Sequence, residues 1–534
     1  MLTSSVVKII ANVINIDWLR PYRIDNDGEA IGTGFFIDDN GYIATCAHVV
    51  NDAIKLWITI PSIGKDRIDV EIVGICDDMD LALLKTVNYK PKHYLKLGNS
   101  NNVKSGETVI ASGYPLGQDK LKTTSGIISG YQDGIFQTDT PINPGNSGGP
   151  LIDSNEYVIG INSSKMMFAD NVGYSIPIYH FQILELEMRK NTGKMIYAPK
   201  LFANFNNTGP DLIEYYGNQT TCKNGYFINK IHKKSPLYKA GLMDGDIICK
   251  FGKENEMYDV DNFGECIVPW YNEKIHIKDI MKRFHINDII YITYWRNNEP
   301  NLKVAKIHLN TMEIPDIRLF YKNYDKIDYI IFGGMVVMQL TGNHLNQLFQ
   351  MNISQKMLDY LSMYAHLKNR YEKILIITQI FAGSELSKLD SISSGDVIKS
   401  INNYKVNTLD DFRKAVFKLK LKNNKNFLKI QTILNTIVIM NVEKILKEEN
   451  FLSENFKYDI DELTVNINKK FNYNINLNFD NTNIDNTNFD NLIFYNENVN
   501  ENVNDNILNK YRFTFDDIIN NFTNQTNKNR CLTK

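Results

Sequence analysis

The sequence has no pair of cysteines at metal-binding spacing. Its six cysteines, Cys46, Cys76, Cys222, Cys249, Cys266 and Cys531, are scattered along 534 residues with no CxxC among them. That pattern excludes a zinc ligand set, gives no disulfide framework, and fits a reducing compartment. An excess of either charge is also lacking. Lys and Arg number 59 against 61 Asp and Glu, a net charge of −2, so neither nucleic acid nor an anionic membrane surface is expected as a partner. No apolar run approaches the roughly 18–20 residues that a membrane-spanning helix needs, and no membrane span is expected. The longest run, Tyr329 to Leu340, holds Gly333-Gly334 and reads as a buried strand. Met1 to Ile10 lacks the charged start, apolar stretch and small-residue cleavage site of a secretory leader. The expected location is therefore cytoplasmic or nuclear, or host cytoplasm or virion for a viral chain. No Walker loop is present, so no nucleotide is expected, and the residue pattern suggests no metal or other cofactor.

What is there is globular: 43% hydrophobic, 11% aromatic and 22% charged residues, at a length that suggests three or four domains. Residues 1–195 read as many short strands. Ile31 to Ile37, Asp38-Asp39-Asn40-Gly41 and Tyr42 to Thr45 form a strand, an Asn-Gly turn and a strand. Tyr179 to Lys190 has helical spacing and closes this region. Residues 197–314 hold the strand Gly225 to Ile231, then a short helix with Ser235 as N-cap and Pro236 at its first position. Asp244-Gly245-Asp246-Ile247-Ile248 follows. Residues 325–445 repeat this arrangement, with Ser394-Gly395-Asp396-Val397-Ile398 about 150 residues later, an internal repeat. Residues 446–534 turn asparagine-rich from about 460 and are expected to be largely disordered, with one candidate helix at Phe515 to Phe522.

The chemistry concentrates in the first region. Gly145-Asn146-Ser147-Gly148-Gly149-Pro150 places a serine among glycines. A serine hydroxyl needs a base within reach and a group to orient that base. His48, in Ala44-Thr45-Cys46-Ala47-His48-Val49-Val50, is the candidate base. Asp80 is the candidate orienter. Asp77 and Asp78 compete with it, but the apolar run Leu81 to Leu84 begins directly after Asp80. The order His, Asp, Ser is that of the chymotrypsin fold rather than of subtilisins or α/β-hydrolases. Backbone N–H groups of Gly145 and Ser147, with Asn146 between them, are the candidate oxyanion donors.

These segments together resemble the HtrA/Deg serine proteases. Gly32-Thr33-Gly34-Phe35-Phe36-Ile37, Ser112 to Gly117, Thr124 to Ser129, Gln137 to Asn143, Ile159 to Asn162 and Val172 to Pro177 match the strands and turns of that family. The resemblance implies a mainly β protein: a chymotrypsin-like double β-barrel followed by two α+β PDZ domains and a low-complexity tail. It implies an ATP-independent endopeptidase acting on unfolded or C-terminally exposed polypeptides in quality control or processing. The alternatives are a PDZ-based chaperone or scaffold with a latent protease, and a dedicated processing protease, a viral one included. The primary pocket would have Pro141 and Ile142 at its floor and Ser163 and Ser175 on its walls. It carries no charge, so cleavage after small or medium aliphatic residues is expected. Peptide would add to the first PDZ domain along Gly225, Tyr226, Phe227 and Ile228, and to the second along Leu375 to Ile380. Asp261 to Glu265, Ile289 to Trp295 and Tyr329 to Leu340 resemble the plant-type Deg branch, which implies a homo-oligomer of three or a multiple of three. The turn Gly130 to Gly134 is shorter than its family equivalent, which argues against relay of activating signals through it.

Overall fold

A computed structural model describes residues 2–163, 172–215, 222, 224–297, 299–311, 313–350, 355–366 and 368–478. The asparagine-rich stretch beyond 478, with the candidate helix Phe515 to Phe522, lies outside the described residues. The chain forms two units. Met1–Ile14 joins Asp27–Ile314 in the first, and Asn15–Asn26 joins Pro315–Lys534 in the second.

The first unit opens with two closed β-barrels. Strands β1 (Val6–Ile16), β2 (Ile24–Phe36), β3 (Tyr42–Thr45), β4 (Ala53–Thr59), β5 (Ile68–Cys76) and β6 (Leu81–Thr86) pair in the order β5-β4-β1-β2-β3-β6 and close through β5 and β6. The Asn40-Gly41 turn joins β2 to β3 as its sequence predicts. Asp38 Oδ1 accepts from Asn40 N at 2.9 Å, and Gly41 takes φ +87°. The second barrel, in the order β10-β11-β12-β9-β8-β7, comprises β7 (Thr108–Gly113), β8 (Lys122–Gln132), β9 (Ile135–Thr138), β10 (Pro150–Asp153), β11 (Val158–Ser163) and β12 (Gly173–Pro177). Alternate residues Val109 and Ala111 of β7 point inward to meet Ile128, Phe136, Leu151 and Ile159. Burial of each of the larger side chains, Val109, Ile128, Phe136, Leu151 and Ile159, contributes about 1.5–3 kcal/mol.

The helix Ile178–Lys190 then lays Ile178, Phe181, Leu184 and Met188 against the barrels. Its Met188 Cβ stands 2.6 Å from where a side chain at Gly74 would begin, so glycine in β5 is what lets the helix approach.

The rest of the first unit is a sheet with the order 203–206, 226–231, 247–253, 289–295, 303–308. Ser235 caps the helix Pro236–Lys239 by accepting from Tyr238 N at 3.1 Å. Cys222 and Cys249 are joined in a disulfide with Cα atoms 6.1 Å apart. The expectation of unpaired cysteines is corrected here. Their sequence separation of 27 carries no signal of pairing, and the fold brings the segment before Tyr226 beside the strand that holds Cys249.

The second unit is built on a sheet with the order 329–332, 335–339, 375–380, 397–401, 425–432, 420–422. The single strand expected over Tyr329 to Leu340 is instead a tight hairpin. Gly333 and Gly334 take φ +65° and +78°, which folds Tyr329–Phe332 back onto Met335–Gln339. The tail expected from 446 is also corrected. Helices Val442–Phe456 and Glu462–Lys470 bury Ile445, Leu446, Leu463 and Ile467 in the same core as Phe332, Phe412 and Ile430. Their i, i+4 spacing outweighs the surrounding asparagines, and Asp461 caps the last helix by accepting from Leu463 N at 2.8 Å.

The outer end of the β1–β2 hairpin completes this unit. Leu19 is buried with Leu340, Leu345 and Ile376. Trp18 N donates to Gln347 Oε1 at 3.0 Å, and Tyr22 OH donates to Gln379 Oε1 at 2.8 Å.

Candidate active site

The base arises where β3 ends. Cys46 is extended and the helical turn Ala47–Val50 follows, which leaves His48 half-buried at the rim. Asp80 reaches it from the other side of the barrel. A turn at Asp77–Met79 ends with Asp80 in the left-handed region, φ 54° and ψ 42°, and the buried strand β6 begins at once. Asp80 Oδ1 accepts from His48 N at 3.0 Å and lies 2.8 Å from His48 Nδ1; Oδ2 lies 2.9 Å from the same nitrogen. A carboxylate 6% exposed is stable only with such donors. With Nδ1–H given to Asp80, the lone pair falls on Nε2, as a base requires. The competitors are engaged elsewhere in part: Asp78 takes Lys200 Nζ at 2.5 Å and Ala198 N at 3.2 Å.

The nucleophile loop is a turn written in sequence. Asn143-Pro144-Gly145-Asn146 has proline at the second position and glycine at the third, the composition of a type II turn. Asn146 N donates to Asn143 O at 2.9 Å, and Gly145 takes φ +97°. Pro144 O is held by Leu116 N at 2.7 Å. In a trans peptide the N–H points opposite to the C=O, so Gly145 N–H faces away from Leu116, free to serve an oxyanion. Gly148 then packs the loop against the strand leading to His48: a Cβ there would meet Thr45 Oγ1 at 2.2 Å and Cys46 N at 3.0 Å. Ser147 is 3% exposed, and its carbonyl accepts from Thr33 N at 2.9 Å.

Two pocket residues need correction. Ser163 Oγ donates to Asp80 Oδ2 at 2.9 Å, so its hydroxyl extends the Asp80–His48 chain rather than walling a pocket. Ser175 Oγ donates to Asn162 Oδ1 at 2.7 Å and is fully buried. The two serines belong to adjacent paired strands, β11 and β12, where alternation sends side chains to opposite faces. Asn162, which was not among the expected site residues, ties β11 to the nucleophile loop: its Nδ2 donates to Pro150 O at 3.1 Å and its O accepts from Gly148 N at 2.8 Å. Pro141 is exposed and Ile142 half-buried, with Ile142 Cδ1 2.9 Å from where a Gly173 side chain would begin.

Cys46 Sγ, a nitrogen of His48 and an oxygen of Asp80 lie within 4.8 Å of one another. Cys46 Sγ donates to Asn162 O at 3.3 Å, and the other two bond each other, an arrangement that suits a proton relay.

Both proposed peptide-docking strands are corrected. Tyr226–Ile231 is flanked by Ala203–Asn206 on one side and Ile247–Lys253 on the other. Leu375–Ile380 lies likewise between Met335–Gln339 and Val397–Ile401. An interior strand has no unpaired backbone to offer. In the first sheet the edge is Ala203–Asn206, with Phe205 stacked on Tyr226 at 5.0 Å. In the second, Tyr329–Phe332 covers the edge of Met335–Gln339.

The short turn at 131–134 nevertheless touches the segment that follows the strand 247–253 in the first unit. Tyr131 packs on Tyr271 at 5.0 Å, and Lys282 Nζ donates to Asp133 O at 2.6 Å. His180 lies fully buried between Gly134 O and Lys282 O, at 3.3 and 3.2 Å.

Residues 32–161 match the trypsin-like peptidase domain, and residues 321–462 match the PDZ domain. The chain is similar to a probable periplasmic serine endoprotease DegP-like of Rickettsia prowazekii, 34% identical over 236 residues, covering 42% of this chain and 45% of that protein. It is similar to the putative protease Do-like 14 of Arabidopsis thaliana, 31% identical over 275 residues, covering 47% and 63%. The solved HtrA-type protease AlgW with tripeptide is 22% identical, with TM-score 0.43, over 57% of this chain and 93% of that one. The chain spans about half the length of the curated relatives it matches. The expected cytoplasmic or nuclear location is overturned by relatives that are named as periplasmic serine endoproteases.

Proposed function

We propose that this chain, which matches the trypsin-like peptidase domain and the PDZ domain, is a serine endoprotease of the HtrA/Deg family that hydrolyses peptide bonds of polypeptide substrates through His48, Asp80 and Ser147. The observation that carries the reading is the hydrogen-bonded chain Ser163–Asp80–His48 beside a nucleophile loop whose Gly145 N–H is turned away from Leu116.

Ser147 Oγ attacks the scissile carbonyl while His48 Nε2 takes its proton. Asp80 holds the ring and stabilises the imidazolium. The negative oxygen of the tetrahedral intermediate is received by Gly145 N–H and Ser147 N–H, each donor worth about 3–4 kcal/mol. His48 then protonates the leaving amine, and a water repeats the sequence on the acyl-enzyme. Pro141 and Ile142 give the pocket an uncharged floor, which suits Val, Ala or Ile before the cut. Extended substrate segments dock by adding a strand beside Ala203–Asn206. A homotrimer, or a multiple of it, is the working assembly. The disulfide Cys222–Cys249 suits an oxidising compartment.

Unfolded casein and a fluorophosphonate probe test the reading. Wild type is expected to be labelled and to degrade casein, with both lost in Ser147→Ala. Absence of labelling in the wild type overturns it.

A further inference from the structure

Resting on that reading, we propose that Thr33 is a positioning residue that keeps the oxyanion hole open, through a hydroxyl clamped between the nucleophile loop and the turn that follows β7.

Thr33 sits in β2 and is fully buried. Its Oγ1 donates to Gly145 O at 2.6 Å and accepts from Tyr114 N at 3.0 Å. A hydroxyl has one hydrogen to give. Tyr114 N is a donor and Gly145 O an acceptor, so the direction of both bonds is fixed. The main chain of the same residue adds a second grip: Thr33 N donates to Ser147 O at 2.9 Å, and Thr33 O accepts from Thr45 Oγ1 at 2.7 Å. Thr33 thus holds the carbonyls of Gly145 and Ser147, the two residues whose N–H groups serve the oxyanion.

The need for such a grip follows from the turn. A type II turn and a type I turn differ by a flip of the central peptide, here Pro144–Gly145, and glycine accepts either. The flip would carry Gly145 N–H out of the hole and leave the chemistry one donor short. Two contacts oppose it. Leu116 N fixes Pro144 O on the upstream side. Thr33 Oγ1 fixes Gly145 O on the downstream side and, through Tyr114 N, ties it to the segment that carries Leu116. That segment is itself anchored: Tyr114 OH donates to Val6 O at 3.1 Å, and Lys8 Nζ bonds Gly117 O at 2.5 Å. Without the hydroxyl, Gly145 O and Tyr114 N lose a buried partner, and only the Leu116 N–Pro144 O bond is left to oppose the flipped turn.

Thr33→Val keeps shape and removes the hydroxyl, Thr33→Ser keeps the hydroxyl, and Thr33→Cys offers a weaker donor. Loss of one oxyanion donor costs about 10²–10³ in kcat. Thr33→Val is expected to lower kcat roughly 10- to 100-fold with KM within about twofold, since substrate docking does not use this bond. Affinity for a peptidyl boronate, which needs the hole, should fall in parallel with kcat. Thr33→Ser should stay within about threefold of wild type, and Thr33→Cys should lie between. Should Thr33→Val not fold, the Thr33→Cys and Thr33→Ser pair decides. Wild-type kcat in Thr33→Val (or in Thr33→Cys where that pair decides), an equal loss in Thr33→Ser, or a loss confined to KM overturns the assignment. An inert wild type instead overturns the protease reading.

Discussion

Replacing Asp80 by asparagine tests the relay at its most constrained point. Oδ1 accepts from His48 N at 3.0 Å, so an amide nitrogen there would set donor against donor. The amide oxygen must therefore occupy the Oδ1 position and the amide nitrogen the Oδ2 position. That nitrogen then lies where Oδ2 now meets Ser163 Oγ and His48 Nδ1, each at 2.9 Å. A hydrogen aimed at Nδ1 from that position competes with the Nδ1–H that the amide oxygen, 2.8 Å away, would accept, and favours the ring with its proton on Nε2, which cannot accept a proton from Ser147. The anion that stabilises the imidazolium at 2.8 Å is lost as well. In triads of this kind the change costs about 10⁴ in kcat, or about 5.5 kcal/mol of transition-state stabilisation. The assay is kcat/KM on a fluorogenic peptide with valine or alanine before the cut, with fluorophosphonate labelling measured alongside. Both rates should fall together while thermal stability changes little. A loss under tenfold in a variant that folds as wild type would refute the tautomer argument.

Three further outcomes follow from the packing. Closing a loop with sequence separation 27 by Cys222–Cys249 stabilises the first unit by about 3–4 kcal/mol on chain-entropy grounds; Cys222→Ser with Cys249→Ser, or added reductant, should lower its denaturation midpoint accordingly. Burial pushes the Glu449 carboxyl up to about 8, against the opposing hydrogen bond from Tyr458. The folded state then keeps a proton that the unfolded state releases, so stability is lost as pH rises from about 4.5 through about 8. Glu449→Gln should match wild type near pH 4 and exceed it at pH 8 by up to about 4 kcal/mol, read by denaturant melts. Burial, aided by Lys282 and Arg283, holds His180 down at about 3. The unfolded state takes up a proton below about 6.5 and the folded state does not, so stability falls with pH, by about 2 kcal/mol at pH 5. His180→Gln should flatten that acid slope between pH 7 and 5; an unchanged slope would refute it.

The triad was legible because its chemistry sits in contiguous words: Thr45-Cys46-Ala47-His48, Asp80-Leu81, Gly145-Asn146-Ser147-Gly148. The Pro144-Gly145 turn and the Ser235 cap were legible for the same reason, since local sequence dictates local dihedrals. What failed was information that exists across the chain. Whether Tyr226–Ile231 is an edge or interior strand depends on Ala203–Asn206 pairing beside it. The roles of Ser163 and Ser175 depend on which face each takes in paired strands. The helices after Val442 did carry apolar spacing, but asparagine content outweighed it in the reading.

The docking of Trp18, Leu19 and Tyr22 in the second unit has a consequence for synthesis. These residues are synthesised well before their partners, since Gln347 and Gln379 follow Trp18 and Tyr22 by 329 and 357 positions. At about 5–20 residues per second, the hairpin tip waits roughly 15 to 70 s for the surface that covers it. A chain stopped at residue 314 would never supply that surface, and its exposed apolar tip would favour holdase binding or self-association over a finished fold.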